Sequence, residues 1–194
     1  MKQKLKLALV GAGERGQYCY APYAKMHGYE IEFVAVADPH KGRREKFVQD
    51  YHVPAEGVFE TAEQFFARPR MADAVLICTQ DSQHYAYACQ AIDLGYSILL
   101  EKPISPSVRE CLDLQRRAEE KGTQIMVCHV MRYTKFYRKL KELIDSGVIG
   151  DVVHVTHTEN VAYWHYAHSY VRGNWHGGAH ALFSAGGGRR NPAP

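Results

Sequence analysis

The amino-acid sequence predicts an α/β fold built on a doubly wound parallel sheet. Three observations point to it: a glycine-rich turn follows an apolar segment near the N-terminus, short apolar segments alternate with helical patterns, and polar residues follow most of those segments. Strands are predicted over residues 5–10, 31–37, 74–79, 97–100 and 124–128. Nearly continuous apolar strands are typical of a parallel sheet that helices cover on both faces.

The glycine-rich turn has the pattern G-x-G-x-x-G, at Gly11, Gly13 and Gly16. Between a strand and a helix, the first glycine allows a tight turn and the second lets the backbone approach a pyrophosphate. The third lets the helix pack close to the strand. The free N–H groups and the positive end of the helix dipole then face the phosphates. The turn therefore predicts a Rossmann sheet with a dinucleotide site.

Asp38 ends the second predicted strand, about 20 residues beyond the glycines. An acidic side chain at this position accepts hydrogen bonds from the adenosine ribose and would repel a 2′-phosphate. NAD is therefore the expected cofactor, while the nearby Arg43 and Arg44 leave NADP as an alternative. The alternative is an ordinary βαβ unit in which Asp38 is a turn residue before Pro39.

Helices are predicted over residues 14–26, 43–51, 61–67, 84–94, 107–121 and 134–146. Pro22 should kink or shorten the first, because proline interrupts the hydrogen bonding of a helix interior. Two of the helices begin with residues that fit capping boxes, Thr61 with Gln64 and Ser107 with Glu110.

The chain is expected to contain a Rossmann domain over residues 1–128 and the start of an α+β substrate domain over 129–175. Residues 151–159 alternate between apolar and polar side chains, which predicts a strand with one exposed face. Residues 176–194 are rich in glycine and proline, so a disordered tail is expected there.

Composition excludes several classes of protein. The net charge is only +3, so no nucleic-acid partner is expected, and no apolar run approaches the roughly 18–20 residues of a membrane span. No signal peptide is recognisable at the N-terminus, and the five scattered cysteines form no C-x-x-C pair. Both observations favour a location in the reducing cytoplasm. Eleven histidines raise the alternative of a metal site, but none has zinc-ligand spacing, so no metal is expected.

A chemically distinctive cluster, Glu101-Lys102-Pro103, follows the strand over residues 97–100. Pro103 limits the backbone of Lys102 to extended conformations, which would aim the ammonium at the cleft beyond the sheet. A lysine there can hydrogen-bond a carbinol oxygen and help to carry its proton. The alternative is a solvated lysine at the end of a strand.

The assembled pattern resembles the Gfo/Idh/MocA oxidoreductase family over about residues 4–175. It comprises Gly-Ala-Gly-Glu-Arg-Gly, Val-Ala-Val-Ala-Asp, Cys-Thr-Gln-Asp-Ser-Gln-His, Glu-Lys-Pro-Ile and Gly-Val-Ile-Gly-Asp. The resemblance implies an N-terminal domain that binds NAD or NADP and a C-terminal domain that supplies the substrate face. It also implies hydride transfer at a carbinol of a sugar-like or cyclitol-like small molecule, usually in a homo-oligomer.

By resemblance, Lys102 is the catalytic lysine. The residues expected to bind the cofactor are Gly11, Gly13, Arg15, Gly16, Asp38, Thr79, His84, Glu101 and Arg132. Among them, Thr79 and His84 would line the nicotinamide side, and Glu101 would lie near the nicotinamide ribose. The residues expected near the substrate are His129, His168, Arg172 and Trp175.

The sequence departs from the family pattern near its end. Members usually carry an Asp-x-x-x-His helix that supplies the acid/base histidine, and here no aspartate follows Asp151. His180 could replace that histidine only in an unlike, glycine-rich setting. A truncated member is therefore expected, with a frameshifted reading of a longer gene as one explanation. The alternatives are a nucleotide-binding fragment without activity and an NAD-dependent glycoside hydrolase, in which no net redox change occurs.

Overall fold

A computed structural model describes residues 3–163, and the centre of this part of the chain is a six-stranded parallel sheet. The strands are β1 (Leu5–Val10), β2 (Ile31–Ala37), β3 (Val58–Phe59), β4 (Ala74–Ile77), β5 (Ser97–Leu100) and β6 (Ile125–Val127). Their order across the sheet is β3-β2-β1-β4-β5-β6, and every neighbouring pair is parallel. The predicted doubly wound parallel sheet is confirmed, and this order is the Rossmann order.

Helices connect the strands and follow the sheet. They are α1 (Pro22–Met26), α2 (Lys41–Tyr51), α3 (Ala62–Phe66), α4 (Asp81–Asp93), α5 (Val108–Lys121) and α6 (Lys135–Asp145). A π-helix (Glu14–Tyr20) precedes α1, and short 3₁₀ turns lie at Ala55–Gly57 and Val130–Tyr133. No helix of the described residues is long and apolar enough to cross a membrane.

Helices pack on both faces of the sheet because successive strand residues point to opposite sides. On one face, Ala8 and Val10 of β1 share an apolar cluster with residues of α3, α4 and α5. On the other face, Leu7 and Leu9 share a second cluster with Phe47 of α2 and with residues of α1. The two clusters enclose the central strands and leave their carboxyl ends at one edge.

The helix predicted over residues 14–26 is divided into two pieces. The N–H group of Ala21 donates to the carbonyl oxygen of Gly16 at 3.0 Å, five residues back, so the first piece closes as a wide π turn. Pro22 then occupies the first position of α1, where its missing N–H costs no hydrogen bond. The proline therefore breaks the helix as the sequence predicts.

Several element boundaries differ from the prediction. The helix expected to begin at His84 begins at Asp81, because the side chains of Gln80 and Gln83 cap each other's backbone and start it earlier. The edge strand β3 is not predicted, since two residues are too short to show a periodic pattern. The Thr61 hydroxyl accepts the N–H of Gln64 at 3.2 Å, which is one half of the predicted capping box. The Gln64 side chain accepts the N–H of Glu60 at 2.9 Å instead of the N–H of Thr61, so the reciprocal half does not form.

The chain separates into two compact units, Met1–Val130 and Met131–Pro194. In the second unit, Thr134 caps α6 by accepting the N–H of Tyr137. The strand predicted over 151–159 is wrong, because this segment pairs with no other strand among residues 3–163. Alternation alone does not make a strand where no neighbour supplies backbone hydrogen bonds. The tail expected over 176–194 lies outside the described residues.

Candidate dinucleotide site and strand-end lysine

The candidate site lies at the carboxyl edge of the sheet, where β1 is flanked by β2 on one side and β4 on the other. The strand order changes direction there, and ligands of open α/β sheets bind in the crevice outside such a point. The turn that carries Gly11 and Gly13 leaves β1 at this edge and enters the π-helix. Its start is fixed by the N–H of Gly11, which donates to the Ala37 carbonyl oxygen at 2.8 Å.

The three glycines of the turn meet three different steric conditions. Gly11 has a φ of +94°, and a Cβ atom there would overlap the carbonyl oxygen of Cys78. A Cβ on Gly16 would overlap the Gly11 carbonyl oxygen and lie 2.8 Å from Cδ1 of Leu9. A Cβ on Gly13 would meet nothing nearer than Nη1 of Arg43, at 4.0 Å. The fold therefore requires the first and third glycines, whereas the space beside the bare α-carbon of Gly13 is open.

Asp38 is buried at the end of β2 and is tied to the glycine turn. Its Oδ2 atom accepts the N–H of Ala12 and its Oδ1 atom accepts the N–H of His40, each at 2.8 Å. A carboxylate oxygen has two acceptor sites, so each can still accept a ribose hydroxyl. The geometry gives Asp38 a structural task in addition to the predicted contact with ribose.

The two arginines that leave NADP as an alternative cofactor differ in their surroundings. Arg44 is buried, and its Nη1 atom donates to the Asp38 carbonyl oxygen at 2.7 Å while Nη2 lies 3.1 Å from Oε1 of Glu60. Both terminal nitrogens of Arg44 are therefore engaged within the fold. Arg43 is exposed, and its guanidinium is the neighbour of Gly13. Only Arg43 of this pair has a side chain free to meet a phosphate.

His84 lies in the first turn of α4 and has no exposed surface. One ring nitrogen, Nδ1, lies 2.6 Å from the Pro103 carbonyl oxygen, and Nε2 lies 3.3 Å from the Thr79 carbonyl oxygen. The ring thus links the loop after β4 to the segment after β5. This arrangement favours support of the loops over direct contact with a cofactor.

Glu101 and Lys102 follow β5 at the same edge. Glu101 is buried, its Oε2 atom accepts the backbone N–H of Lys102 at 2.9 Å, and its Oε1 atom accepts the Tyr20 hydroxyl. The Lys102 side chain is exposed, and its ammonium has no hydrogen-bond or ion-pair partner within residues 3–163. The Lys102–Pro103 peptide bond is cis. The structure therefore fixes the backbone of Lys102 and leaves its ammonium available.

Two thiols lie in the buried environment behind Glu101. Burial raises the pKa of the Cys78 thiol well above its ordinary value, and the charge of Glu101 raises it further. Burial likewise raises the pKa of Cys128, although a hydrogen bond with Tyr20 opposes the shift. Both thiols stay protonated near neutral pH and are poor nucleophiles.

The other predicted site residues are distributed as follows. Arg15 is exposed in the π-helix, with Nη1 3.9 Å from the Cys19 sulfur. His129 is exposed directly after β6, and Arg132 belongs to the second unit. The remaining predicted substrate residues lie outside the described part of the chain: His168, Arg172 and Trp175.

Tyr20 is the residue of the site that the sequence does not reveal. No motif marks it, and its contact with Glu101 joins residues 81 positions apart. Only a structure shows that the π-helix and the end of β5 meet there.

The residues present fit a dinucleotide. The bare face of Gly13 is the close-approach position that a pyrophosphate needs, and the first N–H groups of the helix that follows have no intrahelical partners. Among the described residues, two buried side-chain atoms lack hydrogen-bond partners, Nε2 of Gln17 and Oγ1 of Thr79. Both belong to segments that border the switch point. Within residues 3–163 no three His, Cys, Asp or Glu side chains converge as metal ligands do.

The sheet order, the glycine turn and the acidic end of β2 define a Rossmann domain of the dinucleotide-binding class. Residues 5–129 match the family model described as the GFO_IDH_MocA oxidoreductase family, NAD-binding Rossmann fold. The chain therefore belongs to the Gfo/Idh/MocA oxidoreductase family, as the resemblance of its motifs implies.

Individual relatives show which activities occur among similar sequences. The chain is 31% identical over 157 residues to an inositol 2-dehydrogenase of Pseudomonas savastanoi, covering 79% of this chain and 46% of that protein. It is 29% identical over 153 residues to a 2,7-anhydro-N-acetylneuraminate hydratase of Mediterraneibacter gnavus, covering 79% and 39%.

The fold is also that of solved structures. The WlbA dehydrogenase of Bordetella pertussis, in complex with NADH and UDP-GlcNAcA, matches with a TM-score of 0.69 and 20% identity, over 76% of this chain and 44% of that one. The chain thus spans less than half the length of these relatives.

Proposed function

We propose that the protein is an NAD(P)-dependent oxidoreductase module that acts on a carbinol of a sugar-like or cyclitol-like small molecule. One observation supports this most directly. Lys102, whose ammonium has no partner among residues 3–163, follows β5 at the edge where Gly13 and Asp38 border the switch point. The residues proposed to bind the cofactor and the lysine proposed to transfer the proton therefore lie at the same edge of the sheet. The inositol dehydrogenase among the relatives supports the substrate class.

In this proposal, each residue has a defined task. The glycine turn receives the pyrophosphate, and Asp38 accepts the hydroxyls of the adenosine ribose while it holds the turn through Ala12. A bound nicotinamide supplies the hydride chemistry. The Lys102 ammonium donates a hydrogen bond to the carbinol oxygen and helps to carry its proton during oxidation and reduction. Glu101 holds the Lys102 backbone from the side away from solvent.

We propose roles for the other predicted site residues as well. His84 and Thr79 hold the loop on the nicotinamide side, and Arg15 lies beside the phosphate turn. His129 and Arg132 are proposed to face substrate and cofactor in the whole protein, which we expect to be a cytoplasmic homo-oligomer. We place the end of the Rossmann domain near residue 128, directly after β6.

NAD is the proposed cofactor, because the Asp38 carboxylate lies where a 2′-phosphate would bring a like charge. Binding of NAD and NADP to the 194-residue chain should be measured by calorimetry, with Asp38→Ala beside the unchanged protein. Loss of about tenfold or more in NAD affinity is expected in the variant. Asp93→Ala is the matched control, since this exposed aspartate ends α4 at the opposite edge of the sheet. Absence of NAD binding in a folded sample would refute the cofactor proposal.

A second candidate function is a reaction that uses NAD without net redox change. The hydratase among the relatives favours it, because the activity for which that protein is named is not an oxidation. Accumulation of NADH with an inositol substrate supports the dehydrogenase. Conversion of an anhydro-sugar at constant total NAD and NADH supports the alternative. Binding of NAD with neither reaction would identify the chain as a nucleotide-binding module alone.

A further inference from the structure

We propose that Tyr20 is a positioning residue for Lys102, acting through the carboxylate of Glu101. The inference rests on the proposed function, in which Lys102 transfers the proton. In the proposed function, Tyr20 contacts neither the reacting atoms nor the glycine turn. Its task is to fix the orientation of the strand-end segment relative to the helix that begins at the cofactor turn.

The hydrogen bonds form a continuous connection from the helix to the lysine. The Tyr20 hydroxyl donates to Oε1 of Glu101, and Oε2 of the same carboxylate accepts the Lys102 N–H at 2.9 Å. Glu101 is only 6% exposed, so water cannot readily replace either donor. A buried carboxylate that loses one donor must reorient or remain partly unsatisfied. Removing the hydroxyl should therefore loosen the backbone of Lys102.

The backbone at Tyr20 is irregular in a way that serves this contact. Tyr20 is the last residue of the π-helix, where the N–H of Ala21 closes back to Gly16 instead of to the residue one position later. The wider turn contains one residue more than an α-helical turn, and such turns occur frequently at functional sites. Pro22 prevents the helix from continuing in register. The wide turn thus ends at Tyr20, whose hydroxyl reaches Glu101 directly after β5.

Tyr20 acts as a hydrogen-bond donor and not as a base. Burial raises the pKa of Tyr20 far above its ordinary value, and its hydrogen bonds with Cys128 and Glu101 raise it further. The hydroxyl therefore keeps its proton near neutral pH. A group that remains a donor suits a residue whose task is to hold a carboxylate.

The test compares Tyr20→Phe with Tyr18→Phe. Tyr18 lies on the same π-helix, is 55% exposed and makes no side-chain hydrogen bond among the described residues, so it is a matched control. Exchange of the Lys102 backbone amide, followed by NMR, should accelerate about tenfold in Tyr20→Phe and stay unchanged in Tyr18→Phe. NAD affinity should remain within about twofold in both variants, because the glycine turn is intact. Where the chain turns over substrate, kcat should fall about 10-fold to 100-fold in Tyr20→Phe with KM unchanged.

The outcomes separate this inference from the proposed function. If the unchanged chain binds NAD but turns nothing over, the catalytic proposal fails, while faster exchange at Lys102 still supports the Tyr20 connection. If it is active and Tyr20→Phe matches it in both exchange and kcat, the Tyr20 inference is wrong and the function stands. If amide exchange became equally faster at Lys102 and at Leu9 in the core, the substitution would have loosened the whole domain. That result would also overturn the inference.

A measurement on the unchanged protein covers the case in which Tyr20→Phe does not fold. The Tyr20 hydroxyl proton, held between the phenol and a buried carboxylate, should exchange slowly enough to give a downfield NMR signal with a nuclear Overhauser effect to Glu101. Absence of that signal in a folded sample would overturn the inference.

Discussion

The contrast between Gly13 and Gly16 gives the sharpest test of the site. Alanine at Gly16 would place a methyl group against the Gly11 carbonyl and 2.8 Å from Cδ1 of Leu9, in a region with no free volume. Overpacking of this kind costs about 1–3 kcal/mol of folding free energy. Alanine at Gly13 meets nothing within 3.4 Å, so no comparable clash arises. The two substitutions in one turn should therefore have different consequences.

The expected effect of Gly13→Ala on stability is close to zero. Gly13 has φ −78° and ψ −163°, which alanine adopts without strain. Alanine restricts the unfolded chain, which adds about 0.4–1 kcal/mol of stability. It is also a poorer residue than glycine at the start of a helix, by a similar amount of about 0.5–1 kcal/mol. The two terms offset each other, so the net change should stay within about 0.5 kcal/mol.

The effect of Gly13→Ala on binding should be large, because the added methyl group occupies the face that the pyrophosphate approaches. We expect a 10-fold to 100-fold loss of NAD affinity, about 1.4–2.8 kcal/mol. Urea unfolding measures the stability of both variants, and calorimetry measures NAD binding of the variant that stays folded. Unchanged NAD binding by a stable Gly13→Ala protein would refute the assignment of this face to the pyrophosphate. A loss of stability equal to that of Gly16→Ala would refute the steric reasoning.

Three further predictions concern charge and accessibility. Arg43→Ala should weaken NADP binding more than NAD binding, since the exposed guanidinium of Arg43 lies beside the turn; equal effects by calorimetry would exclude a contact with the 2′-phosphate. Hydrogen bonds from Arg116, Tyr85 and Arg117 hold the pKa of Asp113 well below its ordinary value. The contribution of Asp113 to stability is therefore present above about pH 4 and is lost as the pH falls below that value. Between about pH 5 and pH 3, the melting temperature of Asp113→Asn should therefore fall less than that of the unchanged protein. An equal drop in both proteins would contradict this. Exposed Cys19 should react with iodoacetamide faster than Cys78, whose pKa burial raises, and mass spectrometry of early time points checks the order.

Much of the fold could be predicted because its signals are local. The limits of β1, β2 and β5 follow from mostly apolar segments, and the break in the first helix follows from Pro22. The glycine spacing and Asp38 predict a dinucleotide site, since both belong to one strand–turn–helix–strand unit. The sequence predicts the start of α4 three residues late, because two glutamines cap the helix in a way that residue type alone does not show.

The sequence by itself determined the order of most strands and helices, the class of site and the three glycines that shape it. Tertiary structure alone decided which side chains remain available for chemistry. It engaged Arg44 with the end of β2 and left Arg43 exposed, it buried His84 between two loops, and it joined Tyr20 to Glu101. For Tyr20 and His84 the physical reason is distance along the chain. A local pattern fixes backbone conformation over a few residues, whereas Tyr20 meets Glu101, and His84 meets the Pro103 carbonyl, only after separate strands have aligned at one edge.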